Sequence, residues 1–159
     1  HVVVSAEPEG SLVSGRLLFD DMLAQGWPRV VRIGFRMPGE TSDFFERYVA
    51  LGANGEFACH APGRSSFDVA IQPAGFLRRV FRANTSGGMH AGNQVSLIVG
   101  DINGTNSINA ADFLQFRAAF GSTPASANWN PQADLTGDAV VNAMDFLILR
   151  RNLGKAGDP

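Results

Sequence analysis

Shifted by 33 residues, the last third of the chain falls on itself. Asp101 lands on Asp134, Gly104 on Gly137, Asn109 on Asn142, Ala110 on Ala143 and Asp112 on Asp145. Phe113 lands on Phe146, Leu114 on Leu147, Arg117 on Arg150 and Gly121 on Gly154. Ile108/Val141, Phe116/Leu149 and Phe120/Leu153 are conservative besides. When polar residue types recur at fixed spacing along with apolar ones, the segment is an internal duplication. Two copies of one unit fold alike, so each constraint read from one half applies to the other.

Each unit carries oxygen-bearing residues at alternate positions and a carboxylate at the twelfth. The first set is Asp101, Asn103, Thr105, Ser107, Asn109 and Asp112; the second is Asp134, Thr136, Asp138, Val140, Asn142 and Asp145. A loop wound round an ion turns every second residue inward. Calcium, a hard cation, takes six to eight oxygens at about 2.3–2.6 Å. Ser107 and Val140, at the seventh place, offer the backbone carbonyl, so their side chains are free to vary. Asp112 and Asp145 fall in the first turn of a helix, where an acid also suits the helix dipole. Helices are expected over Ala110–Phe120 and Ala143–Leu153, with Phe113, Leu114, Phe116 and Phe120, and their partners in the second copy, at core spacing. Gly121 and Gly154 stand where C-terminal caps belong. Ile108 and Val141 should enter a shared core. The expectation is two calcium ions.

These residues resemble a type I dockerin. Gly100-Asp-Ile-Asn-Gly104, Ile108-Asn109 and Asp112-Phe113-Leu114 match its first half; Asp134-Leu-Thr-Gly-Asp138, Val141-Asn142 and Asp145-Phe146-Leu147 match its second. The resemblance implies two calcium ions and a two- or three-helix clamp that binds a cohesin, read mainly through the residues that start each helix, here Ala110-Ala111 and Ala143-Met144. In the first loop Thr105 stands where Asp is usual and Asn106 where Gly is usual. In the second, Thr136 replaces Asn and Ala139 replaces Gly. Asn tolerates a left-handed backbone; Ala there costs about 1 kcal/mol or slightly more. The third carboxylate, Asp138, outweighs that, so the second site is expected to bind the more tightly.

Ahead of the repeat, short apolar runs are punctuated by Gly, Pro and Asn. Val31, Ile33, Phe35 and Met37 alternate with Arg32, Gly34 and Arg36, the pattern of a sheet with one wet face. Further strands are expected at 16–19, 44–51, 56–60, 67–71, 76–81 and 94–99, with Ala53-Asn54-Gly55 as a hairpin turn. About seven short strands make a small β-sandwich. The run Leu51-Gly-Ala-Asn-Gly-Glu-Phe57, then Pro62-Gly63 and Phe67-Asp-Val-Ala-Ile71, resembles the prealbumin-like or carboxypeptidase-regulatory-like group of Ig-type domains. The expected organisation is an N-terminal strand and linker at 1–12, an all-β Ig-like sandwich at 13–99, and an α-helical pair of EF-hand-like calcium repeats at 100–159.

The net charge of −2 leaves no basic field for nucleic acid. No apolar run reaches the length of a membrane span. His1-Val2-Val3-Val4 reads as a mature end left by a signal peptide, hence a secreted, extracellular or cell-surface protein. Cys59 alone makes no internal disulfide. It and His60 are neighbours on a strand and point to opposite faces, so they form no nucleophilic pair. His1, His60 and His90 lack zinc spacing. No catalytic grouping emerges, and the chain reads as a non-enzyme. With no catalytic cargo beside the calcium repeats, copies of the chain are expected to pack head to tail into a filament or tube, with residues 1–10 as a strand for exchange. The alternative is anchoring to a cohesin-bearing scaffold.

Overall fold

The structure, a computed structural model, describes residues 11–159. The readings made on residues 1–10, the strand at Val2–Val4, its exchange and the mature end, lie outside them. Nine strands come first: β1 (Leu12–Leu18), β2 (Val30–Arg36), β3 (Phe45–Ala50), β4 (Glu56–His60), β5 (Ser66–Ile71), β6 (Gly75–Phe76), β7 (Arg79–Asn84), β8 (Met89–Ser96) and β9 (Val99–Asp101). Two helices follow, α1 (Ala110–Ala119) and α2 (Ala143–Asn152).

The strands form a three-stranded sheet, order β4-β1-β8, a four-stranded sheet, order β3-β2-β5-β7, and a two-stranded ribbon of β6 and β9. β1 runs antiparallel to β4 and parallel to β8. Every pairing in the four-stranded sheet is antiparallel. Alternate residues of each strand point to one face. Val13 and Leu17 of β1, Ile33 and Phe35 of β2, Phe57 of β4 and Val69 and Ile71 of β5 are therefore buried together between the sheets. Cys59 is buried and His60 exposed, as strand alternation requires.

Three strand expectations change. The run 76–81 is cut into β6 and β7, and the run 94–99 into β8 and β9, because the chain breaks there to form the small ribbon. The Ala53-Asn54-Gly55 turn is no hairpin: β3 pairs with β2 and β4 with β1, so the turn carries the chain between sheets. Gly55 still takes the positive φ, 82°, that Asn-Gly suggested. Arg36, placed on the wet face, is buried, with Nε 2.6 Å from Asp43 Oδ1 and Nη1 2.6 Å from the Pro159 carbonyl. Met37 lies beyond the strand end and is exposed.

The strands and the helical repeat are packed as one body. A single apolar cluster runs from Val13 and Phe35 through Phe76 and Val99 to Ile108, Phe116, Leu135, Val141 and Leu149. Asn152 Nδ2 donates to the Val99 carbonyl at 2.9 Å, and Arg151 is ion-paired with Asp21. Trp129, in the connector between the two repeats, packs against this cluster. Among the described residues no helix is long and apolar enough to cross a membrane.

Candidate metal centres

The two loops sit on a local two-fold. The Ile108 N–H donates to the Lys155 carbonyl and the Gly154 N–H to the Ile108 carbonyl, both at 2.8 Å. Add 33 to each number, wrapping the C-terminal pair back to 121 and 122, and the partner bonds appear: Val141 N–H to Ser122 carbonyl, 3.0 Å, and Gly121 N–H to Val141 carbonyl, 2.8 Å. Each loop is thus stitched to the end of the other unit's helix. Ile108 and Val141 have no exposed surface, as their place in the repeat requires. Phe113 and Phe146, equivalent in the two copies, touch each other with ring centroids 6.1 Å apart.

Both helices start in the same way. Asn109 Oδ1 accepts from the Ala111 N–H and the Asn109 N–H donates to Asp112 Oδ2, a capping box; Asn142 and Asp145 repeat it. Two orphan helix donors are satisfied at each start. The side-chain oxygens of Asn109 and Asn142 therefore serve as helix caps in this geometry. Gly121 and Gly154 close the helices with φ of 79° and 85°.

The remaining oxygens converge. In the first loop Asp101 Oδ1 accepts from the Thr105 N–H and Oδ2 from the Asn106 N–H, while Asp112 Oδ1 accepts from the Asn103 N–H. Thr105 Oγ1 reaches both Asn103 Oδ1 and the Ser107 carbonyl. In the second, Asp134 accepts from the N–H groups of Gly137, Asp138 and Ala139, and Asp145 Oδ1 from the Thr136 N–H. Asp138 Oδ1 accepts from the Val140 N–H. Asn106 and Ala139 have φ of 64° and 67°, the left-handed turn that both substitutions had to accommodate.

The donor set fits a hard divalent cation. Asp134, Asp138 and Asp145 offer carboxylate oxygens all within 4.8 Å of one another. Oxygens at about 2.4 Å on opposite sides of a calcium ion are about 4.8 Å apart. Asp101, Asp112 and Asp145 have no exposed surface and Asp134 only 7 %. Among the described residues, none of these carboxylates is paired with Lys or Arg. Buried anions without a counter-charge are costly, and a bound cation removes the cost. Burial pushes the Asp134 carboxyl above its ordinary value and the charges of Asp145 and Asp138 push it further, against the N–H groups of Ala139 and Gly137.

The helices present an apolar face to solvent. Leu114, Phe120, Leu147 and Leu153, expected in the core, are 60, 53, 53 and 41 % exposed. Of the repeated apolar positions on the helices themselves, only Phe116 and Leu149 are buried. Met144, 60 % exposed, and the exposed Ala110, Ala111 and Ala143 extend that face to the helix starts.

Sequence reasoning missed what the sheets add to the loops. Gln72 Nε2 lies 3.4 Å from Asp101 Oδ2, and Arg78 Nε donates to Gln72 Oε1. The Leu23 N–H donates to the Thr136 carbonyl at 2.7 Å. No local motif marks such contacts, because they join residues far apart in the chain.

Comparison with known proteins places these features. Residues 99–154 match the dockerin type I domain. The chain is 30 % identical over 162 aligned positions to cellulosomal-scaffolding protein B of Acetivibrio thermocellus, an alignment covering 96 % of this chain and 20 % of that protein. It is also 30 % identical to cellulosomal-scaffolding protein A of the same species, over 96 % of this chain and 8 % of that protein. The chain thus spans a fifth or less of the curated relatives it matches. Among solved structures, it resembles a chain of a type II cohesin–X–dockerin complex from Acetivibrio cellulolyticus, in an N-terminal interface mutant, with TM-score 0.70 and 23 % identity. That alignment covers 93 % of this chain and 98 % of the other, so the shared fold includes the sheets as well as the helices. A C-terminal interface mutant of that complex gives TM-score 0.67 at the same identity and coverage. Residues 99–154 thus match the dockerin type I domain, and they are packed behind a β domain.

Proposed function

We propose that this chain is a non-catalytic anchoring unit of a secreted or cell-surface assembly, docking through the exposed face of α1 and α2 onto a cohesin. The observation that carries it is the row of exposed Leu114, Met144 and Leu147 on the helices of the dockerin domain. A soluble protein that leaves equivalent leucines of both repeats in water has a use for them at an interface. The relatives named as cellulosomal scaffolding proteins and the neighbours named as cohesin–dockerin complexes support the same reading.

In this reading two calcium ions hold the loops. Asp101, Asn103, Thr105, Asp112 and the Ser107 carbonyl would supply the first; Asp134, Thr136, Asp138, Asp145 and the Val140 carbonyl the second. Asn109 and Asn142, engaged as helix caps, would act through water. The ions neutralise the buried carboxylates and so fix the helix starts that face the partner. Affinities of about 10⁻⁴–10⁻³ M are usual for extracellular modules.

This reading replaces the expected filament of chain copies. The relatives and structural neighbours favour a cohesin partner over further copies of the chain, and the sandwich here already packs against the helical repeat of its own chain. The C-terminal tail, too, is bound by its own chain. The test is binding of the purified chain to immobilised type I and type II cohesins, in calcium and in chelator. Calcium-dependent binding to either class supports anchoring; binding to neither, with large particles in calcium by light scattering, would sink it.

A further inference from the structure

The two loops are equivalent in sequence but are held differently by the rest of the chain. At the sixth place of the first loop, both ends of the Asn106 amide are engaged. Oδ1 accepts from the Arg78 N–H at 2.7 Å, and Nδ2 donates to the Asp158 carbonyl at 2.9 Å. The Asn106 carbonyl accepts from the Gly157 N–H at 3.0 Å. The tail that meets it is itself fastened to the sheet: the Asp158 N–H donates to the Arg78 carbonyl, the Val80 N–H to Asp158 Oδ2, and Arg36 Nη1 to the Pro159 carbonyl. Ser107 and Ala156 form a further β-bridge. Gly157 lies so close that a Cβ there would sit 2.0 Å from Asn106 Oδ1.

The second loop has none of this at the same place. Its sixth residue is Ala139, whose methyl group makes no hydrogen bond. Its tie to the sheets is the Leu23 N–H on the Thr136 carbonyl and the contact of Gly137 with Gly26. The stitches at Ile108 and Val141 are the same in both loops and cancel in the comparison. Charge acts in the same direction. An empty first loop keeps two buried carboxylates, one of which, Asp101, has the Gln72 amide within 3.4 Å. An empty second loop holds three carboxylates within 4.8 Å of one another. Like charges at that range repel, and the repulsion is relieved by opening.

We infer that the sandwich and the C-terminal tail hold the first loop in its ion-ready shape without an ion, so that calcium removal opens the second loop first. Asn106 is the latch. The calcium response is then graded: one half of the partner face, the start of α1, stays formed while the start of α2 is lost. This rests on the reading of both loops as calcium sites, and the experiment separates the two.

Calorimetric titration of the full, metal-free chain with calcium counts the ions. Hydrogen–deuterium exchange is then followed in calcium and in chelator. On chelation, exchange at Asp138, Ala139 and Asn142 should speed up at least about a hundredfold, and at Thr105, Asn106 and Asn109 by less than about tenfold. Asn106→Gly keeps the left-handed turn without strain and removes the latch. In chelator its first loop should exchange within about threefold of the second. Calcium binding with both wild-type loops opening together would overturn the inference and leave the sites standing, as would a first loop unaffected by Asn106→Gly. No calcium uptake in the calorimeter would overturn the sites and the inference with them.

Discussion

Gly26 and Gly137 approach so closely that a Cβ on Gly26 would lie 2.4 Å from the Gly137 Cα, and one on Gly137 2.7 Å from the Gly26 Cα. Backbone meets backbone here, so nothing flexible can move aside. Gly137 also has φ of 73°, which an L side chain resists. The contact is where the loop between β1 and β2 touches the second loop of the repeat, beside the Leu23–Thr136 hydrogen bond. Gly26→Ala should therefore cost about 1–3 kcal/mol by forcing the two apart. It should also weaken calcium uptake at the second site. Gly63→Ala, which meets nothing within 4 Å, is the control and should stay within about 0.5 kcal/mol of wild type. Chemical denaturation in calcium measures both, and equal midpoints would contradict the contact.

Asp43 is the counter-ion of Arg36, whose side chain is only 4 % exposed, and lies 2.8 Å from Arg32 Nη1 as well. Removing one partner of a buried pair leaves the other charge uncompensated, at about 3–5 kcal/mol. Asp43→Ala should approach that range and loosen the tail, since Arg36 also holds the Pro159 carbonyl. Burial alone would raise the Asp43 carboxyl, but hydrogen bonds and charge from Arg36 and Arg32 hold it below its ordinary value of 3.8. A depressed folded pKa stabilises above the unfolded value and loses that contribution as pH falls through the folded one. The stability gap between wild type and Asp43→Asn should thus be constant near neutrality and close in acid below 3.8.

The two repeated loops were legible because the pattern that marks them is local. Ligand spacing, the capping acids Asp112 and Asp145, and the core positions Ile108 and Val141 all lie within twelve residues of each loop start. The strands were legible through alternation, apart from the breaks after Phe76 and Ser96, where long-range pairing of β6 with β9 overrides the apolar pattern. Arg36 was misplaced for the same reason: its burial depends on Asp43 and on a tail 123 residues away. Leu114 and Leu147 were read as core because helical spacing marks an apolar stripe without saying whether its cover belongs to the same chain. The role of Asn106 was invisible; its tolerance of a left-handed turn could be read, its partners could not.

Asp134 gives the metal-free protein a pH dependence of opposite sign to that of Asp43. Its folded pKa is raised, by burial and then by Asp145 and Asp138, so the folded state holds the proton where the unfolded state has lost it. That contribution is fully present below the unfolded value and is lost as pH rises through the folded one. Melting of metal-free protein should show this contribution fading as pH rises above the ordinary carboxyl value of 3.8, and the increment from added calcium growing over the same interval. Asp138→Asn should flatten both trends, because it removes a like charge from the cluster. A calcium increment independent of pH would contradict the charge cluster as its source.

Ala139 has φ of 67° and, unlike Asn106, nothing to show for it in hydrogen bonds from its side chain. Left-handed backbone costs an L residue about 1–2 kcal/mol relative to glycine. The greater freedom of glycine in the unfolded chain offsets part of that. Ala139→Gly should therefore stabilise by about 0.5–1 kcal/mol, a rise of about 2–4 °C per kcal/mol in melting temperature. Asn106→Gly, at the equivalent place, should move the other way, since it gives up hydrogen bonds to Arg78 and Asp158. The same substitution at equivalent positions of a duplicated loop should thus have opposite signs, a contrast that a pair of thermal melts decides.

Leu114 and Leu147 occupy the same place in the two repeats and are both more than half exposed. If they face only water, exchanging either for Asp changes stability by no more than about 0.5 kcal/mol and nothing else. If they face a partner, each places a charge in a dry interface, and loss of a central apolar anchor costs about 2 kcal/mol or more, about thirtyfold in affinity. The two repeats differ around them, with Ala111 and Gln115 beside Leu114 but Met144 and Ile148 beside Leu147. The second helix therefore presents more apolar surface, and Leu147→Asp is expected to weaken cohesin binding more than Leu114→Asp does. Both variants should melt with wild type and fill the same calcium sites, which separates a lost contact from a lost fold. Undiminished binding by both would remove this face from the interface.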